Sequence, residues 1–306
     1  MKGVIALASF ASLIRQGEFV LTAELNPPRS AAASVVRRRA EALKGFVDAA
    51  NVTDSSRANV AMAAIPAAVL VREAGVEPIV QVTGRDRNRI AIQADLLGAA
   101  ALGLSNFLFM TGDDPKEGNH PDAVHVQDLN GVELVRAAAS LRAGTLLNGD
   151  EVKQPPRYFI GATASPAAPQ DLERTLEKIA AGAEFLQTQP VFDIAPFSQW
   201  LTEIRRRDKD VAILAGVLVL RSADQAQRLA RIPGFALPDA VQARMTEGAG
   251  ETEGVAIAVE TLRALRALPG VNGVHIYSID WPEGVGLIAR GAGLLPRPTV
   301  KEVATA

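Results

Sequence analysis

The sequence predicts a closed (β/α)8 TIM barrel, a single α/β domain in which eight parallel strands alternate with helices. Its 306 residues suit such a barrel, which takes about 250 residues before insertions. Short apolar runs alternate with amphipathic segments, mostly at intervals of about thirty residues, the length of one βαβ unit. A hydrophobic fraction of 48% with 22% charged residues supplies a large core.

The predicted strands are short, apolar and rich in Val, Ile, Leu, Phe and Ala, as is typical of strands buried on both faces. They are Phe19–Leu25, Val47–Thr53, Pro78–Thr83, Asn106–Gly112, Arg157–Ala164, Glu184–Gln189, Val211–Leu218 and Gly273–Ile279. The amphipathic segments between them include Ala32–Lys44, Asn59–Ala74, Arg87–Leu102, Asp171–Ala183, Ala195–Arg207 and Val255–Ala267. Longer gaps before Arg157 and Gly273 leave room for insertions.

A doubly wound open sheet is the alternative fold. No predicted strand is followed by G-x-G-x-x-G, and in the nearest approach, Gly248, Gly250 and Gly254, the last glycine stands one position too late. We expect residues 1–18 to form an N-terminal helix, residues 19–295 the barrel, and residues 296–306 a C-terminal tail.

Composition excludes several classes of site. The chain has no cysteine, so it cannot itself supply disulfides, thiolate metal ligands, iron–sulfur ligands or a cysteine nucleophile. A net charge of −2 gives no indication of a nucleic-acid partner. No apolar run reaches the roughly 18 residues of a membrane span, and the run Val4–Leu13 lacks the flanks of a signal peptide. We therefore expect a cytoplasmic protein.

Strand alternation predicts which side chains point into the barrel. In the first strand Leu21, Ala23 and Leu25 must face the helices, so Glu24 points inward near the C-terminal mouth. The same parity turns polar side chains of other strands inward, namely Asn51 with Thr53, Gln81 with Thr83, Thr111 with Asp113, Thr163 with Ser165, Gln187 with Gln189, and His275 with Tyr277.

A polar ring at the mouth indicates a large polar ligand, since barrel interiors are usually filled with apolar side chains; a water-filled mouth is the alternative. Desolvation should raise the pKa of Glu24, which suits a general acid, unless Glu24 is a hydrogen-bonded structural carboxylate. Asp113 is the better functional candidate of its pair, and Asp114 the better helix cap. We expect His120 and His125 to be solvated and Phe197 and Trp200 to pack in the core.

Six sequence pieces resemble the methylenetetrahydrofolate reductase family, particularly its short single-domain bacterial members. They occur in order from about Phe19 to Leu295, mostly at predicted strand ends. The pieces are Thr22-Ala-Glu-Leu-Asn-Pro-Pro-Arg29, Asn51-Val-Thr-Asp54, Phe109-Met-Thr-Gly-Asp-Asp-Pro115, Ala180-Ala-Gly-Ala-Glu184, Gln187-Thr-Gln-Pro-Val-Phe-Asp193 and Gly273-Val-His-Ile-Tyr277. Any one of these pieces would be weak evidence for the family, but all six in this order are specific to it.

The resemblance implies reduction of 5,10-methylenetetrahydrofolate to 5-methyltetrahydrofolate, with Glu24 as general acid. A reduced pyridine nucleotide, NADH or NADPH, would reduce a flavin (FAD or FMN), and folate would then take the hydride. The implied catalytic pair is Glu24 with Asp113, and the implied folate contacts are Glu24, Gln189 and Tyr277. The implied flavin contacts are Thr53, Gln81, Met110, Thr111, Gly112, Asp113, Ser165, Asp171 and Lys178. Arg174 lies one helical turn from both Asp171 and Lys178 on the same face, where it would add a cation to the flavin site.

Three positions depart from the family pattern. Ser165 and Pro169 stand where many members carry a tyrosine and a histidine, and Ala223 replaces a phenylalanine that stacks on nicotinamide or pterin. The electron donor and the choice of flavin therefore stay open. A ferredoxin-like or iron–sulfur partner subunit is one alternative, and a non-catalytic folate- or flavin-binding subunit of a methyltransferase system is another. We also allow for a homo-oligomer.

Overall fold

The computed structural model describes residues 10–168, 170–231, 237–247 and 250–299. Its eight strands form a closed parallel barrel in sequence order, and β8 closes the sheet against β1. The predicted fold class is confirmed. The strands are β1 (Val20–Leu25), β2 (Ala49–Val52), β3 (Pro78–Thr83), β4 (Asn106–Met110), β5 (Phe159–Ala164), β6 (Phe185–Pro190), β7 (Ala212–Leu218) and β8 (Gly273–Tyr277).

Helices surround the barrel and also lie at its ends. In the described residues they are α1 (Phe10–Arg15), α2 (Ala33–Leu43), α3 (Ala64–Glu73), α4 (Arg89–Ala101), α5 (Gly131–Arg142), α6 (Asp171–Ala180), α7 (Ile194–Arg207), α8 (Ala223–Ala230), α9 (Asp239–Glu247), α10 (Glu251–Arg266) and α11 (Pro282–Gly291). Within that part of the chain, no helix combines the length and apolar character needed to cross a membrane.

Several predicted boundaries were wrong by a few residues. The helix predicted to begin at Asn59 begins at Ala64, because a 3-10 turn (Ser56–Ala58) and a loop precede it. The fourth strand ends at Met110 rather than Gly112, where the backbone turns with φ +91°. The gap before Arg157 contains α5, whose start is fixed by a capping box in which Asn130 and Glu133 satisfy each other's backbone N–H groups.

The N-terminal end of the barrel is filled by apolar side chains and covered by α1. Phe10 of α1 packs edge-on against Phe159 and Phe185, with ring centroids 5.7 and 5.3 Å apart. The same cluster contains Val20 and Ile79 from the barrel interior. Apolar burial of this kind favours folding by about 25 cal/mol per Å², and because it fills this end of the barrel, a site is expected at the C-terminal mouth.

The outer face of the sheet packs against the helices as the alternation predicts. Leu21, Ala23 and Leu25 are buried in the large cluster that also contains Val36 and Leu43 of α2. The opposite parity of β1 therefore faces the barrel interior, which fixes the direction of Thr22 and Glu24. Of the residues assigned to termini, 1–9 and 300–306 lie outside the described part of the chain.

Candidate active site

Glu24 lies at the C-terminal end of β1, inside the barrel mouth, and is half-buried. Loss of solvation in this position raises the pKa of its carboxyl to about 7, and the nearby negative charge of Asp280 contributes in the same direction. A carboxylic acid with a pKa in this range is partly protonated at neutral pH. It can therefore donate a proton there, as a general acid requires.

Directly below the mouth, four polar side chains pair across the barrel. Asn51 and Gln187 exchange two amide hydrogen bonds, of 2.5 and 3.1 Å, and Gln187 Nε2 also reaches Thr22 Oγ1 at 3.4 Å. Thr22 Oγ1 lies 2.9 Å from His275 Nδ1. Burial lowers the pKa of His275 to about 3, so its imidazole is neutral.

This buried tier changes the interpretation of the polar ring. We expected a ligand to form hydrogen bonds with all of the inward polar groups. For these four buried side chains that expectation was wrong, because they mostly form hydrogen bonds with one another. His275 Nε2 is the exception, since it is buried with no partner among the described residues. The tier forms a rigid polar floor, and the groups available to a ligand are those above it.

The ends of β2 and β3 carry Thr53 and Gln81, both buried. Thr53 Oγ1 donates to Asn26 Oδ1 at 2.9 Å. The Gln81 side chain makes no hydrogen bond within the described residues, although it is only 8% exposed. Its amide atoms are not among the fully buried atoms without a partner, so solvent reaches the amide, and it can bind a group in the mouth.

Met110, Thr111, Gly112 and Asp113 form the end of β4 and the loop that follows. Met110 is half-buried, whereas Thr111 and Asp113 are exposed. Thr111 and Asp113 lie beyond the end of β4, so the strand alternation that predicted inward side chains does not apply to them. Asp113 Oδ2 accepts a hydrogen bond from Arg57 N at 2.7 Å. A Cβ on Gly112 would come within 3.0 Å of Thr83 Cβ, which explains the glycine.

Asp114 caps the next turn, accepting from Lys116 N at 2.9 Å, so the predicted cap is confirmed. His120 and His125 are exposed in the loop that follows. Across the described ranges, no group of three or more metal-binding side chains comes together. Phe197 and Trp200 are buried in the main core, as predicted.

The residues assigned to the β5 end divide into two groups. Asp171 and Lys178 bind their own protein, because Asp171 Oδ2 accepts from Ser165 N at 2.5 Å and Lys178 Nζ donates to Thr163 O at 2.6 Å. Burial lowers the pKa of Lys178. Arg174 is exposed and makes no hydrogen bond or ion pair with a described residue. Pro169 lies outside the described residues.

A register shift in β6 separates the two glutamines that alternation had paired. Gln187 is buried in the floor, whereas Gln189 is exposed at the rim, so of the two only Gln187 joins the buried tier. Thr188 takes the position between them, accepting from Gly216 N at 3.0 Å. Tyr277 donates to Thr188 O at 2.9 Å, and burial together with Glu24 raises its pKa.

Sequence reasoning missed two groups at the rim. Asn26, Arg39 and Asp280 surround the outer side of Glu24. After the neighbouring strand β2, Asp54 accepts from both N and Oγ1 of Thr83 at 2.9 Å and contacts Arg87. Asp54 and Asp280 both follow a strand by two or three residues, so the rule that charged residues after barrel strands line the mouth would have found them.

The family model for methylenetetrahydrofolate reductase matches residues 9–293. Methylenetetrahydrofolate reductase 2 of Schizosaccharomyces pombe is 22% identical over 224 residues, covering 69% of this chain and 35% of that protein. A probable methylenetetrahydrofolate reductase (NADPH) of Caenorhabditis elegans is 23% identical over 267 residues, covering 85% of this chain and 39% of that protein. The chain thus spans little more than a third of the length of these relatives.

A solved structure of an uncharacterized protein from Clostridium thermocellum, described as binding two copies of 5-methyl-5,6,7,8-tetrahydrofolic acid, has a similar fold. The TM-score is 0.65 with 13% sequence identity, and the match covers 93% of this chain and 98% of the other. At this identity the likeness concerns the barrel alone. The match to the family model covers nearly the whole chain, and on that ground the chain belongs to the methylenetetrahydrofolate reductase family.

Proposed function

We propose that the protein reduces 5,10-methylenetetrahydrofolate to 5-methyltetrahydrofolate, with Glu24 as the general acid. The observation that carries the proposal is the half-buried Glu24 carboxyl at the barrel mouth, whose pKa is raised to about 7. A proton from Glu24 to a folate ring nitrogen opens the five-membered ring to an iminium ion. The methylene carbon of that ion then accepts a hydride, so each turnover consumes one hydride and one proton.

The mouth would hold the pterin between Glu24 and the rim. Tyr277 ends β8, the strand that pairs with β1, and Gln189 lies near the end of β6. Gln189 is exposed and has an amide free to bind the polar pterin edge, whereas the Tyr277 hydroxyl is engaged with Thr188 O. We assign Gln189 to pterin binding and Tyr277 to fixing the wall beside Glu24. Asp113 is exposed on the far side of the mouth from Glu24, and we assign it as the second acidic residue that contacts the pterin.

The groups at the ends of β2 to β5 fit a flavin. The unpartnered Gln81 amide, Thr53 and the exposed Thr111 provide hydrogen-bonding groups. Arg174 is an exposed cation suited to a phosphate, whereas Asp171 and Lys178 hold Ser165 and β5 in place. A bound FAD or FMN would supply the two-electron carrier between NAD(P)H and folate.

Electron delivery through a partner protein is the second candidate, and one observation favours it. Ala223, the first residue of α8, offers no aromatic surface for a nicotinamide. A stacking ring contributes about 0.5 to 1.5 kcal/mol beyond its burial. Its absence weakens the case for direct reduction by NADH or NADPH and leaves the folate site unchanged.

The first experiment identifies the chromophore of the purified protein by absorbance and by mass after heat release. We expect a flavin that bleaches with NADH or NADPH and recovers with methylenetetrahydrofolate. If both nucleotides fail while dithionite bleaches the flavin and folate reoxidises it, the partner-protein donor is supported. A colourless protein that takes up no added flavin would contradict the flavin assignment.

The second experiment replaces the acid by Glu24→Gln. We expect turnover to fall by about 10²- to 10⁴-fold, the usual contribution of a general acid, while folate binding by calorimetry survives. Glu283→Gln, an exposed neutral replacement in α11, is the matched control and should retain activity. A wild-type protein that binds folate without any turnover would instead indicate a non-catalytic subunit.

A further inference from the structure

We propose that Asp280 relays protons from solvent to Glu24 through a narrow cavity on the outer side of the barrel mouth. The inference rests on the proposed role of Glu24, because an acid that gives up a proton in each turnover must regain one. Bound folate would cover Glu24 from the mouth. A second opening lets the acid be recharged while the mouth is occupied.

The cavity joins Glu24 to the loop after β8. Its polar lining comes from Glu24, Asn26, Arg39, Ser278 and Asp280, and it is wide enough for about one water molecule. An ordered water needs two to four polar partners. The Glu24 carboxyl, the Asp280 carboxylate and the Ser278 hydroxyl supply them, and that hydroxyl makes no hydrogen bond to a described residue.

Asp280 is accessible to solvent and also lines the cavity. Its side chain is 61% exposed, and its carboxylate lies 3.7 Å from Arg39. Asn26 Nδ2 donates to Asp280 Oδ1 at 3.1 Å. Arg39 also binds Asn26 O. These contacts hold the exposed carboxylate at the edge of the cavity that contains Glu24.

The backbone at this position does not require a carboxylate. Asp280 has φ +59°, a left-handed conformation that asparagine adopts at least as readily. An amide oxygen would accept the Asn26 hydrogen bond equally well. A charged, titratable group at this point is therefore consistent with a role in proton transfer, which asparagine cannot perform.

The relay balances in protons and electrons. Glu24 gives its proton to folate and becomes a carboxylate. A solvent acid protonates Asp280, the Asp280 O–H bond breaks as the cavity water takes that proton, and the water passes one of its own protons to Glu24. Asp280 returns to a carboxylate and nothing is oxidised. The ionisable groups near Glu24 are Asp280, Arg39 and Tyr277, with neutral His275 below.

The test compares the first turnover with steady-state turnover in Asp280→Asn. With enzyme in excess and Glu24 protonated beforehand at pH 6, we expect the first turnover to match the wild type. The steady-state kcat above pH 7 should fall by about tenfold with KM for folate unchanged, since recharging has become limiting. Added imidazole, which is partly protonated in this range, should restore kcat in the variant, and Asp280→Glu should restore it without added acid.

Glu283→Gln is the matched control, because it removes an exposed negative charge three residues along the chain without lining the cavity. It should leave both rates unchanged. An Asp280→Asn protein that loses the first turnover as well, or that loses neither rate, overturns the relay. So does a slow variant that buffer acids do not rescue. If the wild-type protein shows no folate turnover at all, the proposed function is refuted, and the relay that depends on it is refuted as well.

Discussion

The Asn51–Gln187 amide pair on the floor of the mouth provides a quantitative test of the fold. Both side chains are essentially inaccessible, at 0 and 1% exposure, and each amide is the main partner of the other. Replacing one of them by an apolar residue of similar size, as in Asn51→Leu or Gln187→Met, removes its hydrogen bonds. The remaining amide then stays buried without its main partner, and Gln187 would keep only its 3.4 Å contact with Thr22 Oγ1.

The expected loss in the free energy of unfolding follows from the hydrogen bonds that the remaining amide can no longer form. An unsatisfied buried amide costs about 1–3 kcal/mol, whereas replacing both partners by apolar groups of the same shape is nearly neutral. Each single variant should therefore lose about 1–3 kcal/mol in the free energy of unfolding, roughly 2–4 °C in Tm per kcal/mol. The double variant should lose at least about 1 kcal/mol less than the sum of the two single losses.

Urea unfolding followed by circular dichroism measures all four proteins of this cycle. Glu203→Gln is the control, because it removes only surface ion pairs, with Arg206 and Arg207, and should change the free energy of unfolding by less than about 0.5 kcal/mol. Two single losses that simply add in the double variant would refute the reasoning. They would mean that the two amides do not depend on each other.

Two further predictions concern buried charge. The pKa of Glu24 is raised from 4.5 to about 7, so the folded state binds this proton more tightly than the unfolded state. The unfolding free energy of the wild type should then fall relative to Glu24→Gln as pH rises from 4.5 to 7, which denaturant titrations across that window would measure; parallel curves would contradict it. At the barrel base, Arg297 pairs with Asp48 at 2.6 Å with both side chains buried. Arg297→Met should cost about 3–5 kcal/mol at pH 7. Because burial raises the pKa of Asp48 and its protonation removes the unpaired charge, that deficit should shrink in acid unfolding experiments, and a deficit independent of pH would contradict the assignment.

The sequence alone was sufficient to predict the barrel and the direction of Glu24. Both depend on local periodicity, since alternation along a strand is a property of the strand itself. Leu21, Ala23 and Leu25 left only one face for an acidic residue. The ligand-facing rim was harder to predict. Thr111, Asp113 and Ser165 lie beyond the last strand residues, where alternation no longer determines the direction of a side chain.

The remaining features of the site depend on closure of the barrel. The Asn51–Gln187 pair joins residues 136 positions apart, and the Asn26–Asp280 contact joins residues 254 positions apart, so neither has a local signal. The register shift in β6, which buries Gln187 and exposes Gln189, arises where β6 pairs with β7. The sequence by itself determined the fold class and the inward carboxylate, because strand periodicity is local. Only the tertiary structure decided which polar groups satisfy one another and which are left for a ligand, because those partners meet only when β8 closes on β1.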